Sequence, residues 1–188
     1  CQAEKGARQE LVFVGESSEL KPLWAPWRME YILGGKSSPG DGIEQCVFCE
    51  VLKEEDGPQN LILHRGVHAY VVMNKYTYSN GHLMIVPTRH EKDFEALNPD
   101  EGAEIFLLAQ RSLAVLRGTV RAQGFNMGLN LGKVAGAGID PHLHFHVVPR
   151  WDGDHNFMTV LAEVRSIPEH IETTYKTLRQ AFSEDFSG

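Results

Sequence analysis

Positions 142–148 read His-Leu-His-Phe-His-Val-Val, three histidines alternating with apolar residues. Alternation at period two is the pattern of a half-buried β-strand, so this stretch predicts a strand from His142 to Val148. Residues two apart on a strand share a face, with Cα atoms roughly 6.5 Å apart. His142, His144 and His146 would then form a row, with Leu143, Phe145 and Val147 turned into a core. A single histidine here reads as a partnered core residue. Three in register, each needing a polar partner, read as a functional row.

The remaining pattern supplies a sheet for that strand. Residues 61–64 and 68–73 read as a hairpin turning at Arg65-Gly66, and 82–87 as a further strand. The best helix runs from Pro99 to about Ala122, with Ile105, Leu108, Ala109, Val115, Leu116 and Val120 at helical spacing and Asn98 as N-cap. Gly124 ends it, and residues 125–131 form a strand. A short helix is expected over 51–55, a strand over 157–164, and a last helix from about Pro168 with Ile171, Tyr175, Leu178 and Phe182 on one side. Strands joined by hairpins, with one long helix inserted, make an α+β fold.

Residues 1–20 read as a loosely held extension around the apolar patch 11–14, and residues 21–188 as one domain. Residues 23–32 are dense in large side chains. Pro26 can open a short helix there that acts as a packing plug or as a wall near a substrate. A Gly/Ser/Pro loop over 34–42 then leads to Cys46-Val47-Phe48-Cys49.

Composition removes several classes of function. An apolar fraction of 42% and a charged fraction of 23% belong to a globular domain, and 188 residues suffice for one sizeable core. No apolar run approaches the roughly 18 residues that span a bilayer, so no membrane partner is expected. A net charge of −7 argues against binding a nucleic-acid polymer through bulk positive charge. It leaves room for a nucleotide, whose phosphates a few local donors can hold. Three cysteines, two of them in one knuckle, are no disulfide framework, which points to a reducing cytoplasm. Cys1 opens the chain as it would in a mature lipoprotein or in a chain cut from a longer one.

The row's chemistry follows from imidazole. A neutral ring attacks phosphorus through one nitrogen when the other holds its proton against an acceptor. His144, with a histidine on each side, is the candidate nucleophile, and the product would be a covalent nucleotidyl-histidine. The glycine-rich loop 132–138, including Gly136 and Gly138, offers backbone N–H groups to phosphate, with Lys133 and Arg150 as flanking cations. The Cys46/Cys49 knuckle is open to three readings: a redox pair, two buried small residues, or half of a tetrahedral zinc site. In the third, His90 and one end of the triad are the candidate remaining ligands, and a Cys-Cys-His-His set would be closed and structural. One ion held by all three triad histidines fails, because a straight strand spreads them too far apart.

Residues 142–148 resemble the signature of the histidine triad superfamily. The resemblance extends to Met73-Asn74 with the segment 81–87, and to Asn130-Leu131-Gly132, and covers about residues 45–155. With residues 23–32, the knuckle, 149–151 and 156–158, it is similar to a bacterial branch of diadenosine polyphosphate hydrolases and phosphorylases. The resemblance implies a roughly five-stranded antiparallel sheet with a long and a C-terminal helix, and a homodimer formed through the long helix and the strand 125–131. It also implies cleavage of a dinucleoside polyphosphate at the α-phosphate. His144 would be the nucleophile and His146 would donate to the phosphate or leaving group. Asn74 would contact ribose, Asn130 would face phosphate, and Cys46, Cys49, His90 and His142 would hold a structural zinc, with no organic cofactor. Where many hydrolases of this kind carry Gln four residues before the triad, this chain has Gly138. That makes inorganic phosphate a candidate acceptor in place of water. The other readings are a nucleoside phosphoramidate hydrolase using the same triad, and a nucleotide-binding module without catalysis.

Overall fold

Two apolar runs seed the sheet. In the computed structural model, which describes residues 46–77, 79–154 and 169–186, every residue of Ala69–Met73 (β2) and Leu83–Pro87 (β3) is buried. Such runs belong to strands covered on both faces. Ile62–Arg65 (β1) pairs with the outer edge of β2. Phe145–Arg150 (β5) pairs with β3, and Gly124–Gly128 (β4) closes the far side. The order is β1-β2-β3-β5-β4, antiparallel throughout. The α+β fold with a five-stranded sheet expected from the sequence is the one observed.

Val47–Val51 (α1) carries the knuckle, Pro99–Thr119 (α2) packs on β2, β3 and β5, and Ile171–Asp185 (α3) packs on β1 and α2. The N-terminus of α2 is built as the sequence asks. Asn98 Oδ1 accepts from the Glu101 N–H, the Glu101 carboxylate accepts from the Asn98 N–H, and Pro99 stands at the first turn. Buried Leu108, Leu116, Val147, Leu178 and Phe182 form the heart of the core. Gly81, at φ +71°, brings the β2–β3 connection against α2. A Cβ there would lie 3.2 Å from Leu116 Cδ2, so both conformation and space call for glycine.

Four expected boundaries move, each for a physical reason. The knuckle helix occupies Val47–Val51, not 51–55, because Cys46 is its N-cap and the Cys46 carbonyl accepts from the N–H groups of Cys49 and Glu50. The triad strand begins at Phe145, not His142. Its first residues leave the ladder: the Leu143 N–H donates to the Glu91 carbonyl at 2.6 Å, and both flanking histidines are bound elsewhere. The strand over 125–131 stops at Gly128 for the same reason, since the chain that would pair with 129–131 has turned away. Helix α2 ends at Thr119, with Arg121 at φ +53° turning the chain into β4; Gly124 opens that strand and does not cap the helix. The expectations for residues 1–20, 23–32, 34–42 and 157–164 lie outside the described residues.

Candidate active site

The three histidines do not form one row. His142 turns to the knuckle, while His144 and His146 remain neighbours, with ring centroids 4.9 Å apart at 80°. The division starts with the backbone at 142–144, which bends at His142 and bonds through Leu143 to Glu91 before the pairing with β3 begins at Phe145.

His142 is fully buried and held at three atoms. Its Nδ1 lies 3.3 Å from Cys46 Sγ and 3.5 Å from Cys49 Sγ, its Nε2 donates to the Pro87 carbonyl at 2.9 Å, and its own carbonyl accepts from His144. His90 Nδ1 lies 3.3 Å from Cys49 Sγ, and the four ligand atoms all fall within 4.8 Å of one another. Bonds of about 2.3 Å to sulfur and 2.0 Å to nitrogen give a tetrahedron with S···N edges of roughly 3.5 Å. The observed sulfur–nitrogen distances fit that size. The bond from His142 Nε2 to Pro87 supplies the outer partner that metal-bound histidines ordinarily have. Burial and the neighbouring Cys46 push the Cys49 thiol up to about 11, so without a cation that thiol stays protonated. Cys46, Cys49, His90 and His142 are therefore a group able to hold a metal ion, and binding would release protons.

The loop carrying His90 is fixed from α2. Arg89 donates to both Glu101 oxygens at 2.8 and 3.0 Å, to Glu91 at 2.7 Å and to the Ala96 carbonyl. The helix cap and the proposed ligand loop thus share one carboxylate.

His144 is buried beneath Phe48, whose ring centroid lies 5.1 Å away. Phe48 is held in turn by Tyr70 Oη, which donates to its carbonyl at 2.8 Å. The Nδ1 of His144 donates to the His142 carbonyl at 2.9 Å. A neutral ring with its proton there keeps a lone pair on Nε2, and burial lowers its affinity for a second proton. That is the state of a nitrogen nucleophile.

On the other side of His146 stands His82, which the sequence reading had not singled out. Its Nε2 lies 3.0 Å from His146 Nδ1, and its Nδ1 lies 3.3 Å from Asn74 Nδ2. Burial and the adjacent rings push His82 down to about 3 and His146 down to about 4. The available signal was a histidine opening the strand that pairs with the triad strand. Asn74, named for ribose, sits at the end of β2 and belongs to this chain of contacts. It also lines a cavity of about 540 Å³ with Lys75, Thr77, His82 and the entry to α3 at Glu169, His170 and Ile171.

The other named residues divide. The β4–β5 register ends at the Gly128–His146 pair, and Asn130 lies two residues beyond it, exposed at the start of the glycine-rich loop. Lys133 is exposed on a short 3₁₀ turn of the loop. Three loop N–H groups face inward, since Ala135 and Ala137 donate to the Gly132 carbonyl and Gly136 to that of Lys133. The loop thus offers a phosphate fewer donors than its glycines imply. Arg150 lies four residues beyond His146, roughly 13 Å along the strand. Its guanidinium is held by Asp154 at 2.6 and 2.8 Å and by Asn126 at 2.8 Å.

The buried neutral imidazoles make stability depend on pH. His82 and His146 take up a proton near pH 6.5 in the unfolded chain and only near 3 and 4 when folded, so stability falls as pH drops through that window. Each contributes a slope approaching about 1.4 kcal/mol per pH unit. Urea unfolding between pH 4 and 7 should show this loss, and His82→Leu should reduce the slope by about one proton's worth.

Among the described residues no helix is long and apolar enough to cross a membrane. The family model described as HIT domain matches residues 56–153. A relative from Mycobacterium tuberculosis named AP-4-A phosphorylase is 39% identical over 170 residues, covering 88% of this chain and 86% of its own. The crystal structure of a zinc-bound histidine triad family protein from Mycobacterium smegmatis superposes with a TM-score of 0.63 at 26% identity, covering 78% of this chain and 99% of that one. The structure of a hypothetical histidine triad nucleotide-binding protein from Sulfolobus tokodaii shares the fold, with a TM-score of 0.60 at 24% identity and coverage of 76% and 92%. With the triad, the sheet order and these matches in agreement, the chain belongs to the histidine triad (HIT) family.

Proposed function

We propose that this protein is a nucleotidyl transferase that cleaves a dinucleoside polyphosphate, of the diadenosine tetraphosphate type, and passes the nucleotidyl group to inorganic phosphate. The observation that carries this reading is His144, with its proton held on the His142 carbonyl and a bare Nε2 beside a second neutral histidine. The 39% identity to a relative named AP-4-A phosphorylase supports the choice of substrate and acceptor.

In the first step His144 Nε2 attacks the α-phosphorus. The bond from phosphorus to the bridging oxygen breaks, and ATP leaves with that oxygen's electron pair. His146 hydrogen-bonds to the charge that develops on the departing phosphate. In the second step an oxygen of inorganic phosphate attacks the same phosphorus, the P–N bond breaks, and ADP leaves. In this reading Asn130 and Lys133, both exposed where the glycine-rich loop begins, face the phosphate chain, Asn74 borders the nucleoside cavity, and Gly136 and Gly138 let the loop approach. Arg150, held by Asp154, orders the end of β4 and β5 and would reach a phosphate only by leaving that pair.

The closed cage of Cys46, Cys49, His90 and His142 is suited to a structural zinc, which would fix the knuckle against the triad. A homodimer fits the open edge of β4 and exposed Phe106 and Met127 on α2 and β4. Sedimentation at micromolar concentration should give about 42 kDa, a C2 pair of 21.1 kDa chains. A stable monomer would remove the dimer from this reading.

The reaction is tested by supplying diadenosine tetraphosphate with and without inorganic phosphate and separating the products. ADP and ATP are expected with phosphate. AMP and ATP at every phosphate concentration would make the enzyme a hydrolase.

A further inference from the structure

The hydrogen bonds behind His146 run in one direction, and Asn74 sets it. The Tyr76 N–H donates to Asn74 Oδ1 at 2.9 Å, which fixes the amide so that its NH₂ group faces His82. An NH₂ group only donates, so His82 Nδ1 is the acceptor and carries no proton. A neutral His82 therefore holds its proton on Nε2, the atom 3.0 Å from His146 Nδ1. With one proton between those two nitrogens, His82 donates and His146 accepts. We infer that Asn74 and His82 are positioning residues which, through this one-way chain from the Tyr76 N–H, keep the proton of His146 on Nε2, the nitrogen left to meet the substrate.

The reverse polarity is blocked at each link. A proton on His146 Nδ1 would face the proton on His82 Nε2 across 3.0 Å. Moving the latter to His82 Nδ1 would face it with the Asn74 amide hydrogens. Burial of His82, and partial burial of His146 beside His144, keep both rings neutral, so neither escapes the conflict by taking a second proton.

Two histidines two residues apart thus hold opposite tautomers because their partners are opposite in kind. His144 meets a carbonyl, which accepts, so its Nε2 is bare. His146 meets an imidazole N–H, which donates, so its Nε2 bears hydrogen. One is built to attack and the other to donate. A neutral imidazole does not surrender its last proton near pH 7, so His146 stabilises the leaving phosphate by a hydrogen bond and no proton is transferred.

This inference rests on the reading of His144 and His146 as the reacting pair, and its test separates the two. Long-range ¹H–¹⁵N spectra of the full chain distinguish protonated from bare ring nitrogens without any variant. His146 should show a protonated Nε2 and a bare Nδ1; a protonated Nδ1 overturns the inference. Asn74→Leu removes the donor and should turn the single His146 tautomer into a mixture. It should lower kcat roughly 10- to 100-fold, as loss of an orienting partner does, with KM changed less. If Asn74→Leu raises KM alone and leaves the tautomer intact, Asn74 is a substrate contact and the inference falls. If instead the spectra agree but His144→Asn keeps turnover, the proposed reaction fails and the hydrogen-bond polarity stands.

Discussion

Replacing His144 by Asn should lower turnover roughly 10⁴-fold or more, because in the proposed reaction its Nε2 forms the covalent bond to phosphorus. Asn retains a side-chain amide that can donate to the His142 carbonyl, so the local backbone should survive. Nucleotide affinity, measured by titration, should stay within about tenfold, the signature of a group that acts in the transition state and not in binding. Rapid-quench analysis of the native enzyme with labelled dinucleotide should trap one nucleotidyl group per active chain, and the variant should trap none. Turnover of the variant near the native rate would mean that the nucleophile lies elsewhere. Trapping on another histidine would move the chemistry within the same site.

Removal of a knuckle ligand should have the largest effect on stability. Cys49→Ser breaks the donor set whose sulfur stands 3.3 Å from His90 and 3.5 Å from His142. Loss of a structural metal is among the few single changes that cost about 4 kcal/mol or more. Protein purified without added metal should contain about one zinc per chain when native, and far less as the variant. The melting temperature should drop with it. Turnover should also fall, since the carbonyl that fixes the His144 tautomer belongs to His142. Native protein that carries no metal, has two freely titratable thiols and melts unchanged in chelator would dispose of the zinc assignment.

The sheet and the division of labour within the triad were legible in the sequence to different degrees. Period-two alternation and continuous apolar runs announced β2, β3 and β5, and helical spacing behind Asn98-Pro99 announced α2. Both patterns are local, and the structure keeps them. What alternation does not carry is the point at which a strand leaves its ladder. His142 has the same place in the pattern as His144 and His146. Only the pairing of Leu143 with Glu91, 52 positions earlier in the chain, turns it toward the cysteines. His82 was missed for a related reason: its role depends on contacts with Asn74 and His146, and the latter is 64 residues away. The donors of the glycine-rich loop were overcounted, because composition shows where N–H groups are free to turn but not which turn inward.

The strand order has a consequence for how the molecule is made. β5 is the last of the five described strands yet lies fourth in the sheet, between β3 and β4. A chain emerging from the ribosome presents β1, β2 and β3 as a meander, then α2, and then β4, whose partner among the described strands is completed only when residues 145–150 arrive. Pairings of such sequence separation form late and slowly, and they leave two unfilled edges exposed meanwhile. The segment that fills the gap carries His146 and follows directly on His144. On the proposed reaction, assembly of the His144–His146 pair and closure of the sheet are one event, so a partly synthesised chain would lack the site that consumes nucleotide.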